Sequence, residues 1–516
     1  MDNRIGICND NAGWQILLKQ EGIPFFVISP GVSLDPQEIS CLVLPYQSEG
    51  VISSDIISYI DEGGAVLMEA SRAADIFGVV TSRSRSRYRI PHNREIFDSL
   101  GLTDFISFRK LKLAAQCCEK IDDGLGIISF YYGRGRITVL PFSVEQEILN
   151  YSYCRRKFPG ITAEFPSEIV ARICKGKVRK IVRICLEDLI HWRELPFVQL
   201  WYYPKPVRSI FIFRLDTDFC KLEDARSMFA ICQETGIRST WFVDTVSSSR
   251  LENFYAKFTD QEVGLHCFRH LVFHDPGKDR ENIERGISAL VNAGINARGY
   301  AAPFGEWDPR LSEILQEKGF IYSSEFTNNY DDLPFFPVVD NNQQTILQIP
   351  IHPVSPGRLR RSHYNEEIML EYYTRIIEQK IYWGDPVIFY HHPHHRLERL
   401  IEGIFRSVKD YKLDNWTMLD FAKWWHKRNS SEISLEISGN KIRIDAHPDF
   451  IRTASLRISS PYGETIVPAS PEYDITQLKW QKQPVPEPLS GEEKVRRWHW
   501  RDWLHDYESY LGRRTK

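Results

Sequence analysis

Two aspartates and two histidines stand at spacings that suit a single metal ion. Asp216 and Asp218 close the run Ile210-Phe211-Ile212-Phe213-Arg214-Leu215-Asp216-Thr217-Asp218, and His266 and His270 bound the segment His266-Cys267-Phe268-Arg269-His270. On a strand, side chains at i and i+2 share a face, so both carboxylates are predicted to enter one pocket. Imidazoles four residues apart share one side of a helical turn and can chelate one ion. One carboxylate with two imidazoles leaves coordination positions open, the arrangement that metal-assisted hydrolysis requires.

The elements that would position these groups follow a strand–helix–strand order from Ser209 to about Arg428. After the first strand come Arg238–Val243, Glu262–His266, Ala297–Ala301 and Pro386–Tyr390, with a helix predicted over Glu281–Ala293. These runs are short, apolar and rich in β-branched or aromatic residues, as buried parallel strands are. Each polar candidate falls at a strand's C-terminal end, where (β/α) barrels gather their chemistry.

The motif order resembles the polysaccharide deacetylase (NodB-homology, carbohydrate esterase family 4) domain over residues 209–395, a little over a third of the chain. The matching segments are Arg214–Asp218, His266–His270, Gly299-Tyr300-Ala301-Ala302-Pro303-Phe304-Gly305 and Ile388-Phe389-Tyr390-His391-His392-Pro393. The resemblance implies an α/β fold, a distorted (β/α) barrel of the NodB type. It implies Asp216 as general base and Asp218, His266 and His270 as ligands of a divalent metal ion, with Zn²⁺ the expected identity. It also implies a late histidine that protonates the leaving amine. His392, directly before Pro393, is favoured, and His391 stays open because strand alternation alone does not say which ring faces inward. A backbone N–H near Phe304 would help hold the oxyanion, and Pro303, Phe304, Trp307 and His391 are expected to line the substrate site. His274 is a spare ligand candidate.

One departure stands out. The family's third motif supplies an arginine that holds the base carboxylate, and the matching residue here is Ala301. Arg214, two residues before Asp216 and so on its strand face, is the geometric substitute; Arg298 is the other. The expected activity is removal of N-acetyl groups from a sugar or glycan precursor, nucleotide- or lipid-linked, in a setting such as surface-polysaccharide biosynthesis. The alternatives are a catalytically silent carbohydrate-binding or scaffold protein, which Ala301 would favour, and a hydrolase of small cyclic amides.

The rest of the chain is read more coarsely. Its 516 residues exceed one core, with roughly three domains expected. Residues 1–165 alternate strands (Ile5–Cys8, Phe25–Ile28, Cys41–Pro45, Ala65–Met68) with helices. This is a doubly wound α/β pattern, similar to class I glutamine amidotransferase-like domains but lacking an elbow cysteine after Leu67-Met68-Glu69-Ala70-Ser71. Residues 166–205 read as a helical linker whose cations, Arg172, Lys175, Lys177, Arg179, Lys180 and Arg183, are expected to form a solvated face. The metal-site domain spans 206–429. Residues 430–480 alternate with period two around Ser438-Gly439-Asn440 and are expected to form a small β appendage. Residues 481–516 join a proline-rich linker to an amphipathic helix striped by Trp500, Trp503, Leu504, Tyr507, Tyr510 and Leu511, a candidate for docking to a partner or membrane surface. A net charge of -3 gives no support to nucleic-acid binding. No run reaches the ~20 apolar residues of a membrane span, and the ten cysteines lack any Cys-x-x-Cys spacing. A cytoplasmic location is expected.

Overall fold

Two large sheets, one mixed and one parallel, organise the described residues, each built from short apolar runs that alternate with helices. The computed structural model describes residues 4–29, 31–46, 53–83, 88–89, 100–101, 103–112, 120–122, 126–246, 252–273, 275–487 and 489. Within them two compact units form. Among the described residues, one draws on Met1–Asn150, Ile173–Arg208 and Trp424–Val485; the other draws on Tyr151–Arg172 and Ser209–Lys423. The candidate C-terminal docking helix and His274 lie outside the described residues. Among the described residues, no helix is long and apolar enough to cross a membrane.

The first unit carries a seven-stranded sheet in the order Phe25–Ile28, Arg4–Cys8, Ile39–Leu44, Ala65–Glu69, Gly135–Leu140, Ile128–Tyr132, Lys120–Asp122. The first five strands run parallel, and Ile128–Tyr132 pairs antiparallel with both Gly135–Leu140 and Lys120–Asp122. Ile39–Leu44 and Ala65–Glu69 are buried throughout, which is why they read as unbroken apolar runs rather than alternating ones.

Two expectations for this unit change. The stretch 166–205 is not a continuous helical linker: Ser167–Ala171 is a strand, Lys175–Trp192 a helix and Phe197–Leu200 another strand. Its cations are not a solvated face either, since Lys175, Arg179, Lys180 and Arg183 are all buried. Arg179 pairs with the buried carboxylate of Glu21, and the Tyr202 hydroxyl accepts from Arg179 at 3.3 Å and from Arg183 at 3.2 Å. Burial pushes the Glu21 carboxyl up, but the Arg179 and Arg183 guanidiniums outweigh it and hold the group below its ordinary range. The expected β appendage is likewise not self-contained. Ile433–Ser438, Lys441–Ala446 and Glu472–Asp474 form one small sheet, whereas Ser455–Ser460 pairs antiparallel with Phe197–Leu200.

The second unit holds an eight-stranded parallel sheet, a curled α/β arrangement. Its order is Leu347–Gln348, Tyr322–Ser323, Gly299–Tyr300, Glu262–Cys267, Ser239–Asp244, Ile210–Asp216, Val387–His391, with Asp414–Trp416 also pairing with the start of Ile210–Asp216. Helix Leu222–Thr235 returns the chain from the end of Ile210–Asp216 to the next strand. It stops at Gly236, whose left-handed φ of 66° lets its N–H cap the carbonyls of Cys232 and Gln233. Residues 151–172 add a hairpin, Tyr153–Lys157 with Ser167–Ala171, that belongs to this unit although it precedes helix Lys175–Trp192 in sequence.

Removing the Glu21 carboxylate strands two buried guanidiniums. Glu21→Ala is expected to destabilise the first unit by about 3–5 kcal/mol. Urea unfolding should show a lowered midpoint for that unit, with divalent-ion binding by the second unit unchanged.

Candidate metal and catalytic site

Strand Ile210–Asp216 sits between Ser239–Asp244 and Val387–His391, so its C-terminal end opens at the middle of the sheet's edge. Arg214 and Asp216 share one face of it. The Arg214 guanidinium is 1% exposed and grips the Asp216 carboxylate with two parallel bonds, Nε to Oδ1 and Nη2 to Oδ2, each 2.7 Å. Its Nη1 donates to the Ser324 carbonyl at 2.6 Å and to the Ser324 hydroxyl at 3.2 Å. The rings of Phe242 and Tyr390 flank it at 5.2 and 5.7 Å. Burial lowers the Arg214 pKa, but Asp216 outweighs that and keeps it raised, so the cation is secure. Arg298 is exposed and takes no part in this pairing.

Two residues further, Asp218 meets both imidazoles. Its Oδ1 lies 2.9 Å from His266 Nε2 and its Oδ2 lies 2.8 Å from His270 Nε2. His266 is fixed from behind: Nδ1 lies 2.5 Å from the carbonyl oxygen of Ala301. A proton on Nδ1 makes that contact a hydrogen bond and leaves the Nε2 lone pair for an ion. His270 is not on a helical turn with His266, as the four-residue spacing suggested. His266 lies on strand Glu262–Cys267 and His270 in the bend after it. The bend is held by Asn282, whose side chain accepts from Arg269 N at 2.7 Å and donates to the carbonyls of Arg269 and Leu271 at 3.1 and 3.2 Å.

The Asp218, His266 and His270 donor atoms all lie within 4.8 Å of one another. His266 Nε2, His270 Nε2 and Asp218 Oδ1 are buried, and despite the short separations none has a well-directed hydrogen bond. One carboxylate oxygen and two imidazole nitrogens pointing at a shared space fit a divalent cation. Burial alone would raise the Asp218 carboxyl, but the His266 and His270 rings hold it well below the usual range. Burial would likewise depress His266, but the Asp218 charge overrides this and raises the imidazole to about 9 in the ion-free protein.

Strand alternation decides between the late histidines. Tyr390 and His392 line the cleft, whereas His391 between them is fully buried and points away from it. Burial, with His392 and His395 nearby, holds the His391 ring well below the imidazole range. His391 is therefore removed from the substrate-lining set. His392 Nε2 lies 3.5 Å from Asp218 Oδ2. Burial lowers the His392 pKa despite the pull of Asp218 and Asp216.

Of the remaining expected lining residues, Phe304 borders the cleft, but Pro303 and Trp307 do not. Both are buried, with the Trp307 ring 5.8 Å from that of Tyr151. The 303–305 turn presents only its central side chain because Phe304 takes a left-handed φ of 60°. Phe219, directly after Asp218, has φ 53° and is 69% exposed. It lies 6.1 Å from the His270 ring, while Phe304 lies 4.7 Å from it. Sequence reasoning missed Phe219, although an aromatic following the second aspartate was a visible signal. It also missed Tyr153, Arg155 and Glu168 on the hairpin, and Arg358 and Arg361 on helix Pro356–Arg361, all of which line the same cleft of about 490 Å³. Nothing local in the sequence ties those residues to the aspartates.

No family description matches the chain, and no curated protein matches it. Solved structures do. A chain carrying the name polysaccharide deacetylase from Mycobacterium smegmatis is 17% identical, with a TM-score of 0.37, over 44% of this chain and 93% of that one. An allantoinase named PuuE is 15% identical, with a TM-score of 0.37, over 44% of this chain and 93% of that one. A CE4 family pseudoenzyme from Bacillus anthracis is 13% identical, with a TM-score of 0.32, over 42% of this chain and 66% of that one.

Because His266 holds a proton up to about pH 9 in the ion-free protein, an incoming cation must displace it. Affinity for Zn²⁺ is expected to climb about tenfold per pH unit from neutrality and to level off above the His266 value. Calorimetry in buffers of different ionisation enthalpy should show the matching proton release, and His266→Ala should lose stoichiometric ion. A pH-independent affinity would contradict the assignment.

Proposed function

We propose that this protein is a metal-dependent hydrolase that removes an N-acyl group, in the first instance acetyl, from a sugar or glycan precursor, with Zn²⁺ as its ion. The observation that carries this reading is the placement of Asp216, locked by Arg214, beside the Asp218–His266–His270 cluster in one cleft. Bound there, the ion would supply Lewis-acid polarisation of the amide carbonyl and make a nearby water more acidic.

The protein's own groups would do the rest. The fork from Arg214 orients Asp216, which is placed to accept the proton of the attacking water. His392, across the Asp218 carboxylate, is placed to give a proton to the departing amine nitrogen. Phe219 and Phe304 offer apolar ring faces at the mouth, against which a sugar ring can rest. Loss of the third-motif arginine at Ala301 argued for a silent binding protein, and the Arg214 fork answers that objection, because a guanidinium still holds the base.

Asp216→Asn is expected to cut acetate release from N-acetylhexosamine substrates by about 10²–10⁴-fold while ion content stays at wild-type level. Arg214→Lys keeps the charge but not the planar fork, and should lower kcat more than it changes KM. His392→Ala should do the same. Bound metal with no release from any N-acetylated sugar would reject the proposal in favour of a binding protein.

A further inference from the structure

The cleft has a second wall, and it is basic. Hairpin Tyr153–Lys157/Ser167–Ala171 is seated firmly on the second unit. Ala171 N donates to the Phe326 carbonyl at 2.9 Å, and the Tyr364 hydroxyl accepts from Ile161 N at 3.1 Å and Thr162 N at 3.3 Å. Glu168 on the hairpin pairs with Arg358 on helix Pro356–Arg361, with Nη2 2.8 Å from Oε1. From this wall Arg155, Arg358 and Arg361 line the cleft that also holds Asp216, Asp218 and His392. Three guanidiniums thus share the wall with one carboxylate, Glu168; of the other acids in the described lining, Asp216 and Asp218 lie at the aspartate–histidine end and Glu306 belongs to the turn beside Phe304. Burial and then the like charges of Arg358 and Arg155 depress the Arg361 pKa, with Glu168 opposing them. Tyr390 lines the same cleft, its ring 5.7 Å from the Arg214 guanidinium and 5.7 Å from the His392 ring.

Holding like charges together costs free energy, and a bound oxyanion repays it through charge-assisted, bidentate bonds. We propose that the Arg155–Arg358–Arg361 wall is a subsite for an acidic group on the substrate, a phosphate or diphosphate ester of the acylated sugar. The excess of guanidinium over carboxylate matches a dianion better than a single carboxylate. The proposal rests on the deacylase reading: the acyl group sits at the aspartate–histidine end and the oxyanion at the arginine end. The Arg358–Glu168 pair already ties the hairpin to the helix, so Arg155 and Arg361 are the residues to test.

The experiment uses the full metal-loaded protein and calorimetric titration with N-acetylglucosamine 1-phosphate, the neutral N-acetylglucosamine and a 2-acetamido hexuronate. The phosphate is expected to bind at least about tenfold more tightly than the neutral sugar, with affinity falling as salt rises. Arg155→Ala and Arg361→Ala should each remove about that tenfold advantage while leaving ion content and neutral-sugar binding unchanged. Arg361→Gln, which keeps a polar side chain, should behave alike and guards against a folding defect. Equal binding of phosphate and neutral sugar, or no response to these substitutions, overturns the subsite. If the uronate is favoured and equally sensitive, the subsite stands with a carboxylate as its anion. Arginine-dependent phosphate binding without acyl release from any sugar would sink the deacylase reading and keep the subsite. Release with the same KM for charged and neutral sugars would do the reverse.

Discussion

A buried guanidinium clamped on a buried carboxylate is the constraint around which the second unit is arranged. Asp216, Asp218 and Glu325 are all withdrawn from water within a few residues of one another in space, and such a concentration of acids is unfavourable without compensating charge. Arg214 meets the need from the same strand face as Asp216, with its remaining donor on Ser324 and its faces covered by Phe242 and Tyr390. Every neighbour of the fork comes from a different strand or loop. The order of the sheet, with Ile210–Asp216 between Ser239–Asp244 and Val387–His391, is what brings them together.

Ala301 shapes the site through its main chain. Ala301 has no side chain to hold a carboxylate, yet its carbonyl takes the Nδ1 contact that orients His266. Main-chain atoms do that work whatever the side chain, and the cation that holds Asp216 comes from Arg214.

Features that follow from local periodicity were legible in the sequence, and features made by distant contacts were not. The i, i+2 rule put Arg214 and Asp216 on one face, and the strand ends located Asp218, His266 and His392 near one another. The same rule applied to Tyr390, His391 and His392 leaves two answers until the sheet's faces are known, and burial shows that His391 faces the wrong way. Pro303 and Trp307 looked equivalent to Phe304 because a motif does not reveal which side chain a left-handed residue throws outward. The His266–His270 spacing suggested a helix, while a bend braced by Asn282 achieves the same convergence. Helix Lys175–Trp192 looked water-facing from its cations alone; the decisive partner, Glu21, lies 158 residues from Arg179. Arg155 and Glu168 escaped notice for the same reason, since a hairpin reaching a remote cleft leaves no trace in spacing.

The hairpin at 151–172 also says something about the chain as a whole. Among the described residues each unit is assembled from separate stretches, so the backbone crosses from one to the other several times. A cut made near residue 206 would discard one side of the cleft, and a cut made near 165 would split the hairpin itself. The second unit is thus not a cassette that can be lifted out intact, because its cleft is completed by polypeptide synthesised earlier, before helix Lys175–Trp192 of the first unit.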